Sequence, residues 1–254
     1  MTPEFTALLS EYGPIGFEKF VRMEGHLDLT PVRELRFKPT GVLQTGSDLF
    51  TLQLLGTYAR EAKTWMWAWA FPEQNADAST MQLANNLHHY GKQNAITELT
   101  SPSLSSARVG RAMSYVAAGM SGGDGVLFWD YGDGWLCAVG LHAAELDDTS
   151  PEFCRPIFET FAEQFPECDH RIGWQAYALH YRLPIAADET GAVVVTFPGG
   201  GALAARFDQE DRLASLTHVP VETPDHPELL TAGTQRYDEC LRAKRQAVQE
   251  FWSS

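Results

Sequence analysis

The sequence predicts an α+β fold in which antiparallel sheets pack against helices, with helices flanking a central block of strands. Three observations lead to this prediction. Apolar residues recur at helical spacing at the start of the chain, between residues 83 and 120, and after Ser150. From about Leu35 the period changes to two, as in half-buried strands. The links between successive strands are short, which favours antiparallel pairing over crossover connections.

The first helix is predicted from Thr2-Pro3-Glu4, which supplies an N-cap, a first-turn proline and a first-turn acid. One apolar stripe follows at helical spacing: Phe5, Leu8, Leu9 and Tyr12. Gly13-Pro14 is predicted to stop or bend this helix. A second helical piece follows, with Phe17, Phe20 and Val21 inward.

Three strands are predicted next, and they form an antiparallel meander. The first starts at Leu35, the second carries Phe50 to Tyr58, and the third runs from Trp65 to Phe71. A helix through Leu83 and Leu87 then ends at Gly91, and another begins after Ser105 or Ser106. A hairpin closes this block, with strands Val126 to Asp130 and Trp135 to Leu141.

An acidic connection, Glu145 to Thr149, separates these elements from the rest of the chain. We therefore expect an N-terminal α+β domain over 1–148 and a C-terminal α+β segment over 149–254, which could pack with the first as one unit. Ser150-Pro151 opens a helix with an N-cap and a first-turn proline. The remaining elements are Gly173 to Leu183 (helix or strand), strands Ala192 to Phe197, Ala202 to Phe207 and Leu213 to His218, and a helix from Thr234 to Trp252.

Composition and charge exclude several classes of function. The 33 acidic residues against 19 basic ones give a net charge of −14, which disfavours direct binding of nucleic acid. The 4 cysteines form no C-x-x-C pair and no disulfide framework. The longest apolar run, Trp65 to Phe71, is too short to cross a membrane, and Met1 to Glu4 does not open a signal peptide. We expect a cytoplasmic protein that binds no membrane.

No motif in the chain predicts a catalytic or metal site. Gly119 to Gly123 matches G-x-S-x-G, but a helix precedes it and a strand follows, the reverse of a nucleophile elbow. The Asp-Gly pairs are typical of turns, and Pro198 to Gly201 lacks the Lys-Ser/Thr of a phosphate loop. His88-His89 and Cys168-Asp169-His170 lack metal-ligand spacing. We therefore expect no enzyme activity and no cofactor.

Trp65, Trp67 and Trp69 lie at alternate positions and are predicted to project from one face of a strand. Such a face can be an aromatic wall for a ligand or partner, because tryptophan is enriched at binding hot spots. It can equally be a sheet face packed beneath a helix, which we favour. The sequence leaves both interpretations open.

Acidic residues concentrate between Glu145 and Asp169, where eight acids face one base, Arg155. In the helix after Ser150 an apolar stripe (Phe153, Ile157, Phe161, Phe165) lies roughly opposite the glutamates. This acidic face is either a solvated surface or a docking surface for a basic protein. The candidate partner-binding residues are Glu145, Asp147, Asp148, Glu152, Glu159 and Glu163.

The segments Leu55 to Tyr58 and Thr64 to Ala70 resemble a bacterial family of uncharacterised proteins, a domain of unknown function marked by a W-x-WAWAN strand. The similarity continues through Tyr90-Gly91, Ile96 and Glu98 to Thr100, and covers roughly residues 35–145. Phe71 stands where the family pattern has asparagine. The resemblance implies no activity and no site residues.

These observations favour a non-enzymatic binding protein, specifically an immunity protein that neutralises a cognate bacterial toxin, such as a nuclease-type effector, by direct binding. The alternative is a small-molecule-binding protein or an enzyme that uses the tryptophan face as a pocket wall, with His88, His142 and Asp133 as acid–base groups. A third possibility is a subunit or adaptor of a larger assembly.

Overall fold

The computed structural model describes residues 1–29, 35–38, 41–45, 48–71, 78–130, 132, 134–141 and 149–219. The chain divides into two compact units, Met1–Leu146 and Asp147–Ser254, called here the N-terminal and C-terminal units. Helices pack against antiparallel sheets in both, which confirms the α+β class. The predicted C-terminal helix, Thr234 to Trp252, lies outside the described residues.

The N-terminal unit contains four helices in its described part: α1 (Pro3–Leu29), α2 (Gln82–Gln93), α3 (Thr97–Thr100) and α4 (Ala107–Ser121). Its strands are β1 (Leu35–Lys38), β2 (Val42–Thr45), β3 (Asp48–Ala59), β4 (Thr64–Trp67), β5 (Ser103–Leu104), β6 (Gly125–Asp130) and β7 (Gly134–Leu141). The long strand β3 pairs with β7 on one side and with both β2 and β4 on the other. β1 and β5 extend the sheet beyond β2 and β4, and β6 extends it beyond β7; every pairing is antiparallel.

Of the stop or bend predicted at Gly13-Pro14, the stop is wrong: Pro14 lies inside one continuous helix, Pro3–Leu29. Close packing against α4 offsets the lost backbone hydrogen bond. A Cβ built on Gly16 would overlap the carbonyl oxygen of Tyr115, so the two helix backbones approach at a distance that only glycine allows. The rings of Phe17 and Tyr115 meet edge to face beside this contact, with centroids 5.3 Å apart.

The prediction of a strand from Trp65 to Phe71 is wrong for the second half of that segment. β4 ends at Trp67, and Ala68–Ala70 forms a short 3₁₀ helix. The ladder between β3 and β4 ends at the pair Gly56 and Trp67, so within the described residues Ala68 has no partner on β3 that would extend it. Trp69 therefore leaves the strand that carries Trp65 and Trp67.

The C-terminal unit contains two described helices, α5 (Pro151–Gln164) and α6 (His170–His180). Its strands are β8 (Ile185–Ala187), β9 (Val193–Thr196), β10 (Ala202–Phe207) and β11 (Leu213–Val219). They form an antiparallel sheet in the order β11-β10-β9-β8, and α5 packs on β10 and β11. The segment from Gly173 to Leu183, which the sequence left ambiguous, is helical up to His180.

Helix α5 starts where the sequence predicts. The side chain of Ser150 accepts a hydrogen bond from the backbone N–H of Phe153, and Pro151 occupies the first turn. Six apolar residues of the helix and the aromatic C-cap residue are buried: Pro151, Cys154, Ile157, Phe158, Phe161, Ala162 and Phe165. Phe153, which the sequence also placed on the inward face, is only half-buried. Phe158 meets Trp174 of α6, with ring centroids 4.9 Å apart, in the core of this unit.

Candidate functional site

The C-terminal unit contains an open groove of about 620 Å³ between the second half of α5 and strand β11. Helix α5 forms one wall, the first half of β11 forms the other, and the β10–β11 turn closes one end. The lining residues are Glu159, Ala162, Glu163, Pro166, His170, Asp208, Arg212, Leu213, Ala214, Ser215 and Leu216. The lining has three carboxylates (Glu159, Glu163 and Asp208) and one guanidinium (Arg212), so its net charge is negative.

Glu159 and Glu163 lie one helical turn apart on α5, and both line the groove. Nε of Arg155 lies 3.0 Å from Oε1 of Glu159, and the two side chains are 41% and 37% exposed. An ion pair this exposed contributes less than about 1 kcal/mol, so a partner's cation can replace Arg155 at little cost. Glu163 is exposed to solvent.

His170 is buried in the groove lining and holds three segments together. Its Nδ1 accepts the backbone N–H of Leu213 at 2.9 Å, and its Nε2–H donates to the carbonyl of Phe165 at 3.0 Å. The backbone N–H can only donate, so this pair of bonds requires the neutral tautomer with the proton on Nε2. Burial lowers the pKa of His170, in agreement with that neutral form.

Asp208 organises the turn between β10 and β11. One oxygen of its side chain accepts the backbone N–H groups of Arg212 and Glu210, each at 2.9 Å. These two hydrogen bonds lower the pKa of Asp208, so its negative charge is retained well below neutral pH. Arg212 forms an exposed ion pair with Glu210 at 2.8 Å.

The structure brings part of the predicted partner-binding set together. Glu159 and Glu163 share the groove, whereas Glu152 is exposed in the first turn of α5 and is not part of the lining. Glu145, Asp147 and Asp148 lie outside the described residues. Nothing in the sequence indicated that three further residues lie beside these glutamates in the groove: His170, Asp208 and Arg212.

The tryptophan face belongs largely to the core of the N-terminal unit. Trp65 and Trp67 are fully buried, and the indole N–H of Trp67 donates to the carbonyl of Glu98 at 3.0 Å. Trp69 is half-buried and stacks on His88, with centroids 3.8 Å apart. The other two acid–base candidates, His142 and Asp133, lie outside the described residues. In the described part of the chain, then, the tryptophan strand supplies no open aromatic wall.

The G-x-S-x-G match is the end of a helix. Gly122 is the C-cap of α4 with φ +68°, a conformation that favours glycine. The side chain of Ser121 accepts the backbone N–H of Gly123 at 3.2 Å. Over the described ranges, no group of three or more His, Cys, Asp or Glu side chains could hold a metal ion. No helix among the same residues is long and apolar enough to span a membrane.

Comparison with known protein families finds a match in the N-terminal unit. The model of a family of unknown function, DUF6882, matches residues 7–141, which is more than half of the chain. The chain belongs to this family. The DUF6882 match runs from within α1 to the end of β7, so it includes the tryptophan strand and ends before the groove. No curated protein and no solved structure matches the chain.

Proposed function

We propose that this protein is a non-enzymatic binding protein of the cytoplasm that holds a basic protein partner against the groove of its C-terminal unit. The observation that carries the proposal is the negative lining: Glu159, Glu163 and Asp208 face a single cation, Arg212. The net charge of −14 adds a long-range field of the same sign. Complementary charge raises the association rate of a basic partner and discriminates against acidic ones.

We further propose that the partner is a bacterial toxin and that the protein acts as its immunity protein. Toxins that cut nucleic acids need a basic cleft to hold the phosphate backbone. An acidic protein can occupy such a cleft in place of the phosphates.

The hydrogen bonds in the groove support a binding role over catalysis. Both ring nitrogens of His170 bond to backbone groups, and the carboxylate of Asp208 holds its own turn. A general base must have a free ring nitrogen or oxygen within reach of a substrate proton. Both ring nitrogens of His170 and one oxygen of Asp208 are already used by the fold.

The test is an affinity capture with the full-length protein from a lysate of the native host, at low and at high salt. The groove variant carries Glu159→Gln and Glu163→Gln. A matched control carries Glu61→Gln and Glu189→Gln, which make the same charge change at exposed turns outside the groove lining. We expect one basic protein in stoichiometric amount with the wild type and the control, and at least about tenfold less with the groove variant.

Recovery of the same amount on all three proteins would contradict the groove as the binding site. The immunity role has its own test: the purified partner is assayed for toxic or nuclease activity with an equimolar amount of this protein. A partner that stays fully active under those conditions would refute the immunity role.

A further inference from the structure

Strand β11 is an edge strand of unusual composition. The strand order places it at one end of the sheet, and no described strand pairs with its outer side. Its seven residues, Leu213–Val219, include no proline, lysine, arginine, aspartate or glutamate. The other edge strand, β8, has three residues and is followed directly by Asp188 and Glu189.

Natural proteins protect sheet edges, because unpaired N–H and C=O groups attract other strands. Short strands, charged side chains and prolines are the usual protection. The edge at β8 has three residues, whereas β11 has seven, none of which is a proline, a lysine, an arginine or an acid. An unprotected edge of this length is the surface that recognition by strand addition requires.

The position of the groove identifies the kind of strand that would fit. Leu213 to Leu216, the first half of β11, form the groove wall opposite Glu159 and Glu163. Residues i and i+4 of a helix are separated by about 6 Å along its axis. Alternate side chains of a strand are separated by about 6.6 Å. Two basic side chains at positions i and i+2 of an extended segment therefore match the spacing of the two carboxylates.

We propose that β11 binds an extended basic segment of the partner protein as an added strand. The backbone of that segment pairs with the outer edge of β11, and its alternate Lys or Arg side chains reach Glu159 and Glu163. This inference rests on the proposed function, because it takes the partner to be basic. A second copy of this chain is a poorer occupant, since pairing two β11 edges would bring like-charged glutamates towards each other.

The register of β11 indicates which of its backbone groups an added strand can reach. Phe207 pairs with Leu213 and Arg206 pairs with Ser215, so Ala214 is the extra residue of a bulge. Ala214 is exposed and lines the groove. The backbone N–H of Leu213 already donates to His170 on the outer side of β11, so the N–H of the next residue, Ala214, faces β10. The backbone groups that an added strand can use therefore lie beyond the bulge, towards Val219.

The experiment uses two synthetic nine-residue peptides of alternating lysine and threonine, identical in charge. One has an ordinary backbone; the other carries N-methyl groups at alternate residues, so that it cannot donate from one edge. Binding to the isotope-labelled full-length protein is followed by amide chemical shifts and amide hydrogen exchange. We expect the ordinary peptide to bind at least about tenfold more tightly and to slow exchange in β11 beyond the bulge, from Ser215 to Val219.

The outcomes separate this inference from the proposed function. Equal binding of both peptides, lost in the Glu159→Gln/Glu163→Gln variant, would keep the acidic groove and overturn strand addition. Failure of both peptides to bind would also overturn strand addition, while the lysate capture would still decide whether a basic partner exists. The amide of Leu213 is left out of this comparison, because it already donates to His170. Slow exchange of the other outer β11 amides in the free protein would mean that residues 220–254 or a second copy already cover the edge, and would overturn the proposal as well.

Discussion

His170 is a single side chain on which three segments of the C-terminal unit depend. It joins the residue after α5, the first turn of α6 and the first residue of β11 through two hydrogen bonds to backbone groups. The charged groups that act on its ring are Asp169, Asp208 and Arg212. Burial outweighs the two carboxylates, so the pKa of His170 in the folded protein lies below the value of about 6.5 expected in the unfolded chain.

This shift predicts that acid weakens the C-terminal unit. Because the unfolded chain binds the proton more readily, the free energy of unfolding is highest above about pH 6.5 and falls as the pH drops below it. Protonation of Nδ1 would also remove the acceptor of the Leu213 N–H. The measurement is urea unfolding of wild type and His170→Asn at several pH values from about 7.5 to about 5. The variant should lose this part of the pH dependence; an identical pH profile for both proteins would refute the role of His170.

At the scale of elements, the contact between α1 and α4 depends on glycine at the crossing. A Cβ on Gly16 would overlap the backbone of Tyr115, and one on Gly119 would overlap the backbone of Tyr12. Backbone atoms cannot rotate away as the end of a flexible side chain can. The helix pair must therefore separate if either glycine gains a side chain.

The chain supplies a matched control for this contact. Gly16→Ala should destabilise the N-terminal unit by about 1–3 kcal/mol, because the overlap forces a backbone shift. Gly25→Ala lies in the same helix, where a Cβ would meet nothing within 4 Å, and should be neutral or stabilising by up to about 1 kcal/mol. Thermal or urea unfolding of the two variants measures the difference. Equal effects would mean that the Gly16 contact does not limit the approach of the helices.

The sequence predicted the elements whose signals are local. The cap at Ser150, the proline in the first turn and three buried members of the α5 stripe (Ile157, Phe161 and Phe165) were predicted, because each depends on neighbours within about one turn. The end of β4 at Trp67 was not predictable in this way, since it is set by where the ladder with β3 stops. The continuation of α1 past Pro14 likewise depends on a contact with residues about 100 positions away.

Only the part of the groove that depends on local sequence signals was predicted. The acidic face of α5 follows from helical periodicity, so Glu159 and Glu163 could be proposed from the sequence alone. His170, Asp208 and the edge of β11 meet that face only through the packing of α5 on the sheet. No spacing rule in a sequence connects residues that lie about 50 positions apart. Cys168-Asp169-His170 was considered only as a metal site, and its spacing argued against that.

At the scale of the whole molecule, the family match and the proposed site fall in different units. DUF6882 ends at residue 141, within the N-terminal unit, whereas the groove residues begin at Glu159 in the C-terminal unit. Each unit has a core of its own, around Phe50, Leu52 and Leu127 in the first and around Phe158 and Trp174 in the second. The family match therefore does not include the segment in which we propose the partner surface.

Two separate cores predict two cooperative unfolding events, in line with the expected domains 1–148 and 149–254. Gly16→Ala should lower the midpoint of one transition, and His170→Phe should lower that of the other, because the phenylalanine leaves the Leu213 N–H and the Phe165 carbonyl without their partner. Differential scanning calorimetry of the wild type, each variant and the double variant tests this. The two shifts should add without interaction, since the described contacts of Gly16 and of His170 lie in different units. A single transition that both variants lower would show that the chain unfolds as one unit, and the groove would then depend on the family domain for its stability.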